Sequence, residues 1–166
     1  MNSPAFHNSV AIRLVALLIF PFTLSAATDH AQEDEEAMAA YADAANFQTG
    51  GAIDLAIQAW DSFLADYPKH KLASHALHYL GVCHMQSEQP DYQAASKAFA
   101  RALNNKKYDL REESLANHGW CLYAAAGDGA DDQPRDAKKL KQAIVTFKTL
   151  RKEFPESRFT DRAIFY

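Results

Sequence analysis

Apolar residues along this chain recur at intervals of three and four, in blocks separated by glycine, proline or short polar runs. In the block that begins near Ala137, Leu140, Ala143, Phe147, Leu150 and Phe154 fall on one side of a helix, and Pro155 closes it. An earlier block, 52–67 (AIDLAIQAWDSFLADY), puts Ala52, Ala56, Trp60, Phe63 and Tyr67 at helical spacing, with Ile53, Ile57 and Leu64 beside them and Pro68 after them. The same periodicity predicts helices over 34–48, 74–86, 92–104 and 112–126. Asp34, Glu35 and Glu36 suit the positive end of the first helix dipole, and Gly50-Gly51 breaks that helix. Asp91 and Asp136 are expected N-caps, whose side chains accept from the free N–H groups of a first turn. The run GDGADDQPRD (127–136) has no apolar residue except Ala130 and reads as an exposed loop.

The N-terminus follows a different rule. Arg13 precedes an apolar run, Leu14 to Leu24, and then the small residues Ser25-Ala26-Ala27. Basic residue, short apolar run and small residues together predict a secretory signal over 1–27, cut between Ala27 and Thr28. An uncleaved N-terminal anchor and a buried helix are the alternatives. The run is shorter than the ~20 residues of a bilayer span. No cysteine lies near the expected cut, so no lipid anchor is expected there. Residues 28–36 are then a short N-terminal segment.

Internal repetition is the strongest signal. Shifted by 87 residues, AIQAWDSFLADYPKHKLASHALHY (56–79) falls on AIVTFKTLRKEFPESRFTDRAIFY (143–166). Trp60 then matches Phe147, Phe63 matches Leu150, Pro68 matches Pro155 and Ala76 matches Ala163. A shift of 38 places Gly81 and Cys83 on Gly119 and Cys121. The unit is a helix pair of 34–38 residues, with its third copy stretched by the loop at 127–136.

These residues resemble the tetratricopeptide repeat family. In that family small residues let two paired helices approach, large ones fill the space between, and a proline ends the second helix. Ala44, Phe47, Ala56, Trp60, Phe63 and Pro68 stand at those positions in the first unit, with Phe63 where a small residue is usual. The second unit offers Leu77, Leu80, Gly81, Ala95, Phe99 and Ala102, without the terminal proline; the third offers Leu115, Gly119, Ala143, Phe147, Leu150 and Pro155. The resemblance implies an all-α, antiparallel helix-pair solenoid over 37–166, with repeats near 37–70, 74–109 and 112–157 and a fourth beginning at 158. The steps FLADYPKHKLASHALHYLG (63–81) and FPESRFTDRAIFY (154–166) are similar to an exported, periplasmic subgroup of that family. That subgroup includes the Tol–Pal-associated cell-division coordinator and the outer-membrane protein assembly lipoprotein. The chain departs from the first in lacking a coiled coil before the repeats, and from the second in lacking the anchor cysteine.

Composition agrees with helices: 31 alanines against 6 glycines and 6 prolines, and few runs of Val, Ile or Thr. The formal charge of −4 argues against a nucleic-acid partner and against a polybasic membrane patch. Cys83 and Cys121 are too few for a disulfide framework and read as small buried hydrophobes, with a disulfide or a free or metal-bound thiol as alternatives. His75, His78, His84 and His118 lie near them, but their spacing matches no standard zinc set. The acidic DGADD (128–132) lacks the pattern of a calcium loop and reads as solvated. No nucleophile elbow, phosphate loop or HExxH motif occurs, so no enzyme, metal or cofactor is expected within this sequence.

Function is therefore expected to be binding. The resemblance implies that the first helix of each pair lines a concave face. Carried over, that face holds Met38, Tyr41, Ala45, Gln48 and Thr49, then His75, His78, Val82, Met85 and Gln86, then Glu113, Ala116, Trp120, Tyr123 and Ala124. Tyr41, His75, His78, Met85, Trp120 and Tyr123 are the candidate partner-binding residues, an aromatic and soft set suited to a protein or peptide ligand. An exported scaffold in the periplasm or cell envelope, with a secreted location as fallback, is the leading expectation. The alternative is a docking or self-association module at the N-terminus of a larger exported enzyme or receptor. The sequence stops two residues before the glycine that a fourth repeat would place after Tyr166, and it reads as the N-terminal part of a longer protein.

Overall fold

The structure, a computed structural model, describes residues 24–127, 129 and 134–159, with side chains from His30 onward. Residues 1–23 of the expected signal, most of the acidic run at 128–133, and 160–166 of the expected fourth repeat lie outside the described residues.

Six helices follow one another: α1 (Leu24–Thr49), α2 (Ile53–Asp66), α3 (Ala73–Gln86), α4 (Tyr92–Ala102), α5 (Arg111–Ala124) and α6 (Ala137–Glu153). Among the described residues there is no strand. Extensive contact runs between consecutive helices, α1 with α2 through to α5 with α6. Linkers as short as Gly50–Ala52 reverse the chain, so each packed pair is a helix hairpin. Gly51 in that turn has φ +79°, a left-handed conformation that a side chain would strain. The architecture is all-α, built from helix pairs as a tetratricopeptide-like repeat.

Glycine against aromatic is the contact that joins each later pair. A Cβ built on Gly81 would stand 2.7 Å from Cζ of Phe99, and one on Gly119 would stand 2.6 Å from Cε1 of Phe147. Only a glycine lets α3 lie this close to the Phe99 ring, and α5 this close to Phe147. The first pair uses Ala44 and Trp60, both fully buried. The core is otherwise the expected stripe of each second helix: Ala56, Trp60 and Phe63 in α2, Ala95, Phe99 and Ala102 in α4, Ala143, Phe147 and Leu150 in α6. Phe63, large where a small residue was expected, fits because rings surround it edge-on. Tyr41 lies 5.5 Å from it, Trp60 6.5 Å and His70 5.8 Å. Cys83 and Cys121 are free thiols, both fully buried.

Three expectations change. The first helix begins at Leu24 rather than residue 34, because 24–33 holds alanines and neither glycine nor proline to stop it. Its first turn carries no acid. Asp34 instead reaches across to the turn before α3, where His70 Nε2 and Lys71 Nζ each lie 2.9 Å from its Oδ1. Phe47, expected to fill the space between helices, is 40% exposed. The linker before α6 is exposed at Gly127, Gly129 and Pro134, but Arg135 and Asp136 fold back onto the helices.

Candidate partner-binding site

The candidate residues stand on α1, α3 and α5, the first helices of the three pairs, and the fold divides them into three groups.

Tyr41 belongs to an aromatic column at the start of the stack. Its ring meets Trp60 edge-on at 4.8 Å, and Trp60 stacks on Tyr79 of α3 at 5.7 Å. The Trp60 indole N–H donates to Gln48 Oε1 at 3.1 Å, which ties α2 back to α1. Burial pushes the Tyr41 hydroxyl up to about 12, so it stays protonated across the physiological range. One edge of Tyr41 remains open, since the residue is only half-buried.

His75 and His78 join α3 to the chain entering α5. His75 donates from Nε2 to Asp109 Oδ1 at 2.6 Å, and this contact holds the Asp109 carboxyl below its ordinary value. His78 is 2% exposed, with Nδ1 2.7 Å from Ser114 Oγ and its ring edge-on to Phe99 at 5.5 Å. Burial, with a smaller repulsion from His75, pushes its pKa down to about 4. A neutral imidazole therefore bridges α3 and α5 at neutral pH. His75 keeps part of its surface open; His78 does not present its ring to solvent.

Met85, Trp120 and Tyr123 form the third group. Met85 and Trp120 pack beside Ala95, Phe99 and Cys121, where α3, α4 and α5 meet, and both are half-buried. Trp120 stacks on Tyr123, with ring centroids 5.8 Å apart and planes 26° from parallel. Arg135 completes the group from the linker before α6. Its guanidinium carbon sits 4.1 Å from the centre of the Tyr123 ring, and Nη2 donates to the Tyr123 carbonyl at 3.1 Å. Nothing in the repeat register marked Arg135; the signal available was a lone arginine in an otherwise acidic, turn-forming loop.

The fold thus brings Trp120 to Tyr123, and His75 near His78, and leaves Tyr41 in its own column. Burial raises the Cys83 thiol to about 11 and the Cys121 thiol to about 12, so neither is a thiolate at neutral pH. Among the described residues, no group of three or more His, Cys, Asp or Glu gathers as a metal site. Among them also, no helix is long and apolar enough to cross a membrane.

Compared with the curated proteins, the chain gives no match. The helix-pair region has a counterpart at family level. Residues 25–165 match the YfiO family, described as outer membrane lipoprotein, and on that extent the chain belongs to this family.

Proposed function

We propose that the chain is a non-catalytic scaffold of the bacterial cell envelope that holds a protein or peptide partner on the face formed by α1, α3 and α5. The stacked Trp120–Tyr123 pair, half-buried on α5 and braced by Arg135, carries the reading. Half-buried aromatics and arginine held rigid by their neighbours are the residues that dominate binding energy at protein interfaces. Met85 beside Trp120 supplies an adaptable apolar surface, and Tyr41 and His75 extend the face toward the first pair. Membership of a family described as outer membrane lipoprotein supports an envelope location. The buried thiols, and a neutral His78 engaged with Ser114, support a structural rather than a chemical use of these side chains.

Replacing Trp120 and Tyr123 together by alanine tests this reading. Pull-down from an envelope extract is expected to lose its specific partner while far-UV circular dichroism keeps its helical signal. Unaltered capture by the double variant refutes the assignment of this face.

A further inference from the structure

A second surface lies between the second helices α4 and α6, and it shares no residue with the face described above. It is a groove of about 550 Å³, walled by α4 and α6 and floored by α5. Lys97 stands on the α4 wall, and Lys138, Lys139 and Lys141 on the α6 wall. Lys139 is occupied by Asp136, with Nζ 3.1 Å from Oδ2. Among the described residues, Lys97, Lys138 and Lys141 enter no ion pair and are exposed. Between them Ala100, Leu122 on the floor and Val145, which is 57% exposed, supply apolar surface beside the polar Gln93, Ser96, Gln142 and Thr146. His118 shares the floor, and burial lowers it to about 4, so it adds no charge at neutral pH.

The lysines follow a helical rule. Lys138, Lys141, Val145, Lys148 and Lys152 are spaced three, four, three and four residues apart, and all five are exposed. α6 carries six basic residues against one acid. At the other end of the stack, α1 has six acids and no Lys or Arg, and α2 exposes Asp54 and Asp61 where α6 has Lys141 and Lys148. α6 is thus the most basic helix of a chain whose formal charge is −4, while other exposed lysines, such as Lys69 and Lys107, lie in the turns.

We propose that the groove between α4 and α6 binds a short acidic protein segment, with carboxylates at Lys97, Lys138 and Lys141 and one apolar side chain seated on Leu122 and Val145. Charge complementarity selects the acidic partner, and the apolar floor between the ammoniums selects one with a hydrophobic residue among its acids. A long polyanion or an extended anionic bilayer would also meet the acidic faces of α1 and α2, which repel it. A flat bilayer, moreover, leaves the floor of the groove uncovered.

The test uses the full chain and a short fluorescein-labelled peptide in which acidic pairs flank one leucine, read by fluorescence anisotropy at low salt. The Lys97→Gln/Lys141→Gln variant is expected to weaken binding about tenfold, two exposed charge contacts being lost. Val145→Ser is expected to weaken it about threefold, as is replacing the peptide leucine by glycine. A charge-matched control, Lys69→Gln/Lys107→Gln, changes two exposed lysines away from the groove and is expected to bind as the parent does. Glutamine keeps the helix propensity of lysine, and circular dichroism melts check the fold. The proposal is overturned by undetectable peptide binding, by an unchanged affinity of the groove variant, or by an equal loss in the control. Tighter binding of phosphatidylglycerol vesicles or of a single-stranded oligonucleotide than of the peptide overturns it as well.

Discussion

Replacing Gly81 by alanine sets two local effects against each other, and the structure decides between them. In an isolated helix the change is favourable by about 0.8–1 kcal/mol, because glycine has the greater backbone entropy to lose. Here the new methyl would lie 2.7, 2.8 and 2.9 Å from Cζ, Cε2 and Cε1 of Phe99. Carbon atoms in good contact stand about 3.5–4.0 Å apart. The Phe99 ring cannot retreat easily: it is fully buried, His78 stands edge-on to it at 5.5 Å, and it packs in the cluster that contains Cys121. Overpacking of a rigid core site costs about 1–3 kcal/mol, so Gly81→Ala is expected to destabilise by a net 1 kcal/mol or roughly so. Urea unfolding followed by circular dichroism reads this as a lower midpoint at unchanged slope. Gly119→Ala is expected to cost less, although its methyl would approach Phe147 to 2.6 Å, because Phe147 is 6% exposed and can yield. Phe99→Leu in the Gly81→Ala background should recover about 1 kcal/mol relative to the sum of the two single changes. A neutral or stabilised Gly81→Ala would refute the reasoning, since propensity would then outweigh the contact.

Three further outcomes are expected. His78 binds its proton near pH 4 when folded and near 6.5 when unfolded, so the unfolded state takes up more protons between those values and stability falls as pH drops through that window. The loss between pH 7 and pH 5 is about 2 kcal/mol from His78, with a smaller share from half-buried His118, and urea midpoints for His78→Gln should show a flatter pH dependence than the parent; parallel curves would contradict it. Arg111, 5% exposed, holds Glu153 through Nε at 2.7 Å and Nη2 at 2.9 Å and donates from Nη1 to the Leu103 carbonyl. Arg111→Met is expected to cost about 2 kcal/mol in urea unfolding, below the 3–5 of a fully buried pair because Glu153 keeps some solvent; a cost under about 0.5 would show the pair to be dispensable. Asp136 accepts from the backbone N–H of Lys138 and Lys139, so Asp136→Ala should cost about 1 kcal/mol and speed hydrogen exchange in the first turn of α6, and unchanged exchange there would argue against the cap.

The parts of this protein legible along the chain are those set by neighbours a few residues apart. Helical spacing, the stops at Pro68 and Pro155, and the caps at Asp91 and Asp136 act through local backbone geometry, and the helices lie where these signals put them. Gly81 and Gly119 were legible as small packing positions and Phe99 and Phe147 as large filling ones through the family resemblance, but which ring meets which glycine came from the structure. Where a local stop was missing the reading failed, as at the start of α1, and register alone placed Phe47 inside when its side chain is largely open. For the candidate face, repeat position indicated which helices to look at, but not that His78 is sealed against Ser114 or that Arg135 braces Tyr123. Those contacts join residues on different elements, and a side chain's partner across that distance depends on how the helices pack. Charge shows the same division: the sequence determines a total of −4, in which the acids of α1 offset the bases of α6. The linear order already sets α1 and α6 far apart, but only the tertiary structure brings Lys97 of α4 beside the α6 lysines, because helix packing joins side chains about forty residues apart into one cationic groove on an acidic chain.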